Sequence, residues 1–241
     1  MKIILLSLLL IFSCAKKGSY NADAQMLLFL ENEKATCTSD DLFNAINTNS
    51  VEGLEFVIDQ GAETECVNSE GLTPLYLAVL KKKLRLVEQL LNSNVEINGK
   101  SKNGETPLHM AARSGKFYLV KYLVENGAAL ESVSKKGLVP MHLAAASGNI
   151  FMAHYLFENG AGVNVKSKNR DTPLHFAVSK KNLKMVKFLI ENEADPTIRN
   201  KQGRTPHYIA RLNRDREIIK LLRKDERPAP RKRPSIFFHK L

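Results

Sequence analysis

GETPLHMAA (104–112) decides the fold, because the chain repeats it. The related runs are GLTPLYLAV (71–79), GLVPMHLAA (137–145), RDTPLHFAV (170–178) and GRTPHYIAR (203–211). Their prolines stand at 74, 107, 140, 173 and 206, each 33 residues after the last. A fixed period of this length describes one small unit copied and stacked, not a single globular core. It points away from a unique active site and toward a scaffold that presents a surface.

Each unit can be read from its residues. Thr73, Thr106, Thr172 and Thr205 precede Pro, which suits an N-cap Thr followed by Pro at the first helical position. Behind it, Leu77/Ala78, Met110/Ala111, Leu143/Ala144 and Phe176/Ala177 are expected to face inward, the small Ala letting neighbouring helices approach. A short turn follows, with Gly115 and Gly148 in two copies and Lys82 and Lys181 in two others. Then comes a second amphipathic stretch: LRLVEQLL (84–91), FYLVKYLV (117–124), IFMAHYLF (150–157) and LKMVKFLI (183–190). Gly127 and Gly160 are expected to end it as left-handed caps, Asn94 to tolerate the same place, and Glu193 to leave its helix end strained or differently closed. The polar remainder suits a β-hairpin or extended turn between units.

The pattern G-x-T-P-L-H-x-A-A, two helices, then G-A-x-x-N resembles ankyrin repeats, with TPLH at 106–109 and 172–175 and Gly-Ala at 61–62, 127–128 and 160–161. The resemblance covers residues 37–224 and implies an all-α repeat solenoid of helix-turn-helix units joined by β-hairpin loops. The frame divides the chain into an altered first repeat 37–69, repeats 70–102, 103–135, 136–168 and 169–201, and an altered last repeat 202–224. Terminal copies differ because one face meets water. Val139 in place of the capping Thr should cost about 1 kcal/mol. Arg170 in place of the turn Gly should distort its hairpin, and His207-Tyr208 inverts the Leu-His order.

Residues 1–13 read as a signal peptide: one basic residue, then an apolar run too short to span a membrane. Ile-Phe-Ser-Cys at 11–14 resembles a bacterial lipoprotein box, which implies cleavage before Cys14 and its acylation. Ile11 and Ser13 depart from the residues commonest in such boxes. A plain secretory signal and a retained anchor are the alternatives. Residues 14–36 then form a tether and a short helix, MLLFLENE (26–33), that shields the first repeat. Export would permit a disulfide, so Cys37 and Cys66 are either bridged across two adjacent hairpins or two unpaired thiols. A bridge would stabilise the chain by roughly 3–4 kcal/mol in the loop-entropy view.

His109, His142 and His175 recur at the repeat period. The family resemblance implies that they bond backbone and neighbouring hairpins. Copies roughly 8–10 Å apart would not share one zinc ion. No nucleophile, carboxylate pair or phosphate-binding loop stands apart from the repeat, so neither catalysis, cofactor nor metal is expected.

What is individual to this chain is charge. Lys and Arg number 36 against 25 Asp and Glu, a net charge of +11. Lys102, Lys135, Lys168 and Lys201 hold one repeat position and should line the hairpin tips as a basic stripe; Ser69 is the exception. Lys136 and Arg204 lie beside it, and Glu105, Glu131 and Asp171 dilute it. With Arg113 and Lys180 on the inner helices, these residues are the candidate partner-binding face, since ankyrin repeats usually bind through hairpin tips and the inner helix face. Charges about one Debye length apart, near 8 Å at physiological salt, reinforce each other and speed encounter with an anionic partner. A solvated lysine row without a partner is the plainer reading.

Residues 225–241 are a basic, Pro-rich tail. The expected function is a non-catalytic protein–protein interaction scaffold, monomeric and lipid-anchored in a bacterial envelope, with a partner of acidic surface. The alternative is a secreted effector acting on another cell's proteins or nucleus through the array and the basic tail. Nucleic-acid binding is not expected, because the hairpins offer no aromatic platform for bases.

Overall fold

A computed structural model describes residues 39–223. Cys14, Cys37, the signal and tether readings and the C-terminal tail lie outside the described residues. Twelve helices in six pairs make up the described regular structure, with no strand among these residues. The pairs are α1 (Ser39–Thr48) and α2 (Val51–Asp59), α3 (Pro74–Leu80) and α4 (Leu84–Asn92), α5 (Pro107–Ser114) and α6 (Phe117–Glu125). They continue with α7 (Pro140–Ser147) and α8 (Ile150–Glu158), α9 (Pro173–Ser179) and α10 (Leu183–Glu191), α11 (Pro206–Leu212) and α12 (Arg216–Leu222).

The chain divides into two compact units at Glu96/Ile97. In unit 1, α1 packs on α2 and α3, and α4 on α2 and α3. In unit 2 the first helices α5, α7, α9 and α11 stack in one row and the second helices α6, α8, α10 and α12 in another. The core lies between the rows, which is why each helix is apolar on one face.

Proline opens each first helix from α3 onward, where its missing N–H costs nothing. Ala78, Ala111, Ala144, Ala177 and Ala210 are fully buried, the small contact expected for closely stacked helices. The bulky partner meets the sequence expectation in two copies, where Leu77 and Leu143 are buried beside their alanines, and departs from it in the other two. Leu75, Leu108, Met141 and Leu174, directly after Pro, are the fully buried large residues. Met110 and Phe176, beside the alanines, are only half-buried. With 3.6 residues per turn, that position lies at the margin of the core face, buried in two copies and half-buried in two.

Of two expected defects, the Arg170 hairpin resolves differently, while the Glu193 helix end takes the strained alternative. Arg170 has φ 59°, close to the 71° and 73° of Gly104 and Gly137, and its N–H bonds Ser167 O at 2.8 Å as theirs bond Ser101 and Ser134. The hairpin is therefore not distorted; the backbone keeps its turn and the arginine bears the left-handed strain. Glu193 likewise takes φ 66°, and Ala194 N bonds Leu189 O at 2.9 Å, matching Ala128 N to Leu123 O. That helix closes as its glycine-capped counterparts do, with strain in place of a new geometry.

Of the two forms expected for the linking segments, β-hairpin or extended turn, the described residues take the turn. Each tip is closed by two backbone bonds, such as Ser101 N to Glu105 O at 2.9 Å and Gly104 N to Ser101 O at 2.7 Å, so the segments are tight hairpin turns without strands among the described residues.

Candidate partner-binding surface

Three of the hairpin tips of unit 2 are built on a short polar residue that bonds its own backbone, whereas Ser101 Oγ at the first is buried without such a bond. Ser134 Oγ accepts from Leu138 N at 3.1 Å, Ser167 Oγ from Asp171 N at 3.1 Å, and Asn200 Oδ1 from Arg204 N at 3.1 Å. These residues are buried, and the next residue in each tip is a lysine that points out of the turn into water. Successive tips are tied through that lysine's backbone. Lys135 N donates to Asn103 O at 2.9 Å, Lys168 N to Lys136 O at 3.0 Å, and Lys201 N to Asn169 O at 2.8 Å. Lys102, Lys135, Lys168 and Lys201 thus occupy matching places on consecutive tips, and all four are exposed, as are Lys136 and Arg204.

The acidic neighbours have internal duties. Glu105 is buried and ion-paired with Arg113, whose side chain is 47% exposed. Arg113 therefore holds a buried carboxylate before it meets any partner. Glu131 Oε1 accepts from Gly162 N at 2.8 Å, and Asp171 Oδ1 from Asn200 Nδ2 at 2.8 Å.

Beside the last two tips a cleft of about 460 Å³ opens between α9 and α11. Lys180, Arg204, Gln202, Asn200 and Asp171 supply polar lining, Asp171 being held by the Asn200 amide, and Phe176, Ile209 and Leu212 the apolar lining. Leu212 is 54% exposed. With two cations against one carboxylate beside an apolar surface, the cleft can take an acidic segment that also carries a bulky apolar side chain. Sequence reading found the cations but not this apolar lining, because the lining combines residues from separate copies.

The histidines are structural. Nδ1 of His109, His142 and His175 accepts from the N–H of Thr106, Val139 and Thr172, each at 3.1 Å. The proton therefore sits on Nε2, which donates to Leu138 O at 2.9 Å, Asp171 O at 3.0 Å and Arg204 O at 3.1 Å in the next tip. Burial pushes all three rings below their ordinary pKa, against the smaller opposing effect of the backbone bonds. At Val139 the ring bond persists without the Thr hydroxyl, and the valine is fully buried, which offsets the lost cap.

A second ladder was legible only with the structure at hand. Glu65, Asn98, Glu131 and Asn164 share a repeat position, and each accepts an N–H at 2.8 Å from a residue 31 positions later. Cys66 is half-buried, its Sγ donating to Glu63 O at 3.1 Å, and burial and then Glu63 push the thiol pKa up. Its suggested bridge to Cys37 falls on an undescribed residue. Among the described residues no group of three His, Cys, Asp or Glu could hold a metal ion, and no helix is long and apolar enough to cross a membrane.

The family model for ankyrin repeats in three copies matches three overlapping windows, residues 42–134, 78–167 and 141–231. No curated protein matches the chain. Stacked helix pairs opened by Thr-Pro, a histidine reaching the next tip and a 33-residue period agree with that match along most of the sequence. The chain belongs to the ankyrin repeat family, whose members are protein–protein interaction modules.

Proposed function

We propose that the protein is a non-catalytic scaffold, exported and lipid-anchored at Cys14 in a bacterial envelope, that binds a partner with an acidic surface through its hairpin tips. The observation that carries the binding half is the exposed lysine at four successive tips, held in register by backbone bonds from tip to tip. Backbone-tied turns hold the cations at a fixed spacing, so a partner with matching carboxylates meets a preorganised row. The cleft between α9 and α11 adds an apolar contact beside Lys180 and Arg204. The anchoring half is supported by the apolar leader and Cys14.

Two measurements test the halves separately. Affinity capture from envelope extract should retain an acidic protein on the native chain and lose it on Lys102/Lys135/Lys168/Lys201→Glu; unchanged capture makes the row a solvated surface. Labelling with a radioactive fatty acid should mark the native chain and not Cys14→Ala. An unlabelled protein in the medium would favour a secreted effector instead.

A further inference from the structure

A second basic surface lies away from the hairpin tips. In unit 2 the turns inside the helix pairs run along one edge, each bonded to the turn before it. Asn149 Nδ2 donates to Gly115 O at 3.0 Å, and Asn213 Nδ2 to Val178 O at 3.1 Å. Lys116 opens α6, Lys181 and Lys184 flank the start of α10, and Arg214 and Arg216 flank the start of α12; all are exposed. Lys181 and Arg214 have φ 55° and 56°, where Gly115 and Gly148 have 70° and 76°. Cations thus occupy strained positions at which glycine is the easier fit.

Two aromatic rings share this edge. Phe151 is 79% exposed and Tyr118 is 42% exposed. They hold the same place in the first turns of α8 and α6. Phe117 meets Tyr155 edge to face at 5.5 Å, so these two helices are direct neighbours and the exposed rings stand on adjacent elements. The acidic residues Glu125, Glu158 and Glu191 end the same helices, about 10 Å further along the helix axis. Of the acids nearer the edge, Asp215 caps α12 through Ile218 N at 3.1 Å, and Glu217 follows it.

We propose that this edge docks on an anionic lipid bilayer. The Lys and Arg heads engage headgroup phosphates, while Phe151 and Tyr118 enter the interfacial layer. Long cationic side chains around exposed aromatics match the two parts of a bilayer surface, charged headgroup and apolar margin. The cations stand on three of the four turns of unit 2, and the remaining turn, at Gly148 and Asn149, is the one beside Phe151. The far-end glutamates stay clear of it when the edge leads. No residue of this edge belongs to the lysine row at the hairpin tips, although its turn at Lys181 adjoins Lys180 of the cleft.

The test uses the full chain carrying Cys14→Ala, so that acylation contributes nothing. It is sedimented with vesicles of mixed phosphatidylglycerol and phosphatidylcholine, or of phosphatidylcholine alone. The expected result is binding to the mixed vesicles only. Phe151→Ser should weaken it about tenfold, and Lys116/Lys184/Arg216→Glu should abolish it. Lys102/Lys135/Lys168/Lys201→Glu should leave it within about twofold. Because Phe151 is so exposed, its substitution should leave the melting curve in place, which separates lost binding from lost folding. Equal binding to phosphatidylcholine alone, unchanged binding by both edge variants, or loss in the hairpin-tip variant overturns the proposal. So does a soluble protein captured through Phe151 in the absence of vesicle binding. Any of these results leaves the hairpin-tip reading to stand or fall on partner capture.

Discussion

His142 shows how one residue joins two repeats. Its Nδ1 satisfies the N–H of Val139, and its Nε2–H satisfies the carbonyl of Asp171 in the next tip. A charged ring would lose the first bond, since a protonated Nδ1 cannot accept. The same holds at His109 and His175, so folding selects three neutral imidazoles. Their folded pKa values lie below the ordinary 6.5, whereas the unfolded rings titrate near it. Stability from these groups is full above the ordinary value and is lost as pH falls from there toward the lowered folded values. Thermal melts from neutral to mildly acidic pH should therefore show a falling melting temperature. Replacing any one of the three by Gln should make that slope shallower. The recurrence at 109, 142 and 175 was visible in the sequence, and the resemblance implied a structural role. Which carbonyl each ring reaches depends on how closely the next tip packs.

At the scale of elements, the turns tolerate non-glycine residues better than their sequence suggests. Gly104 has a reason to be glycine beyond its φ of 71°, since an added Cβ would lie 2.9 Å from the Lys135 amide nitrogen. At Gly137 the approach to the Lys168 amide is closer still. Arg170 keeps both the φ and the bond from the next tip, Lys201 N to Asn169 O, while carrying a Cβ. Two outcomes follow by calorimetry. Gly137→Ala should destabilise by about 2 kcal/mol or more, through strain and close contact with backbone. Arg170→Gly should stabilise by roughly 0.5–1 kcal/mol, because relief of left-handed strain outweighs the entropy gained by the unfolded chain. The helix and turn boundaries were legible because Thr-Pro, Gly and apolar spacing act locally. The burial of Leu75, Leu108, Met141 and Leu174 ahead of Met110 and Phe176 was not. It depends on the angle at which the second helix covers the first.

For the whole molecule the governing quantity is the distribution of charge. A net charge of +11 is compatible with a diffuse, solvated surface, but within unit 2 the cations fall into separate places. One is the row at the hairpin tips, another the cleft, and a third the edge bearing Phe151 and Tyr118. Binding through the tip row should be salt-sensitive. Raising ionic strength from about 0.05 M to about 0.5 M should weaken partner capture at least about tenfold, mainly by slowing association. Salt-independent capture measured by surface plasmon resonance would assign the affinity to the apolar lining of the cleft instead.

The amino-acid sequence by itself determined the repeat, its period, the caps that open each first helix and the candidate cations. Those signals are local or strictly periodic, so they survive without knowledge of packing. Only the tertiary structure decided which polar residues are free to meet a partner. Arg113 and Glu105 pair with each other, Glu131 and Asp171 bond neighbouring turns, and Phe176, Ile209 and Leu212 from separate copies meet in one cleft. Those outcomes depend on distances between successive copies. The 33-residue text repeats, but the space between one copy and the next is set by stacking alone.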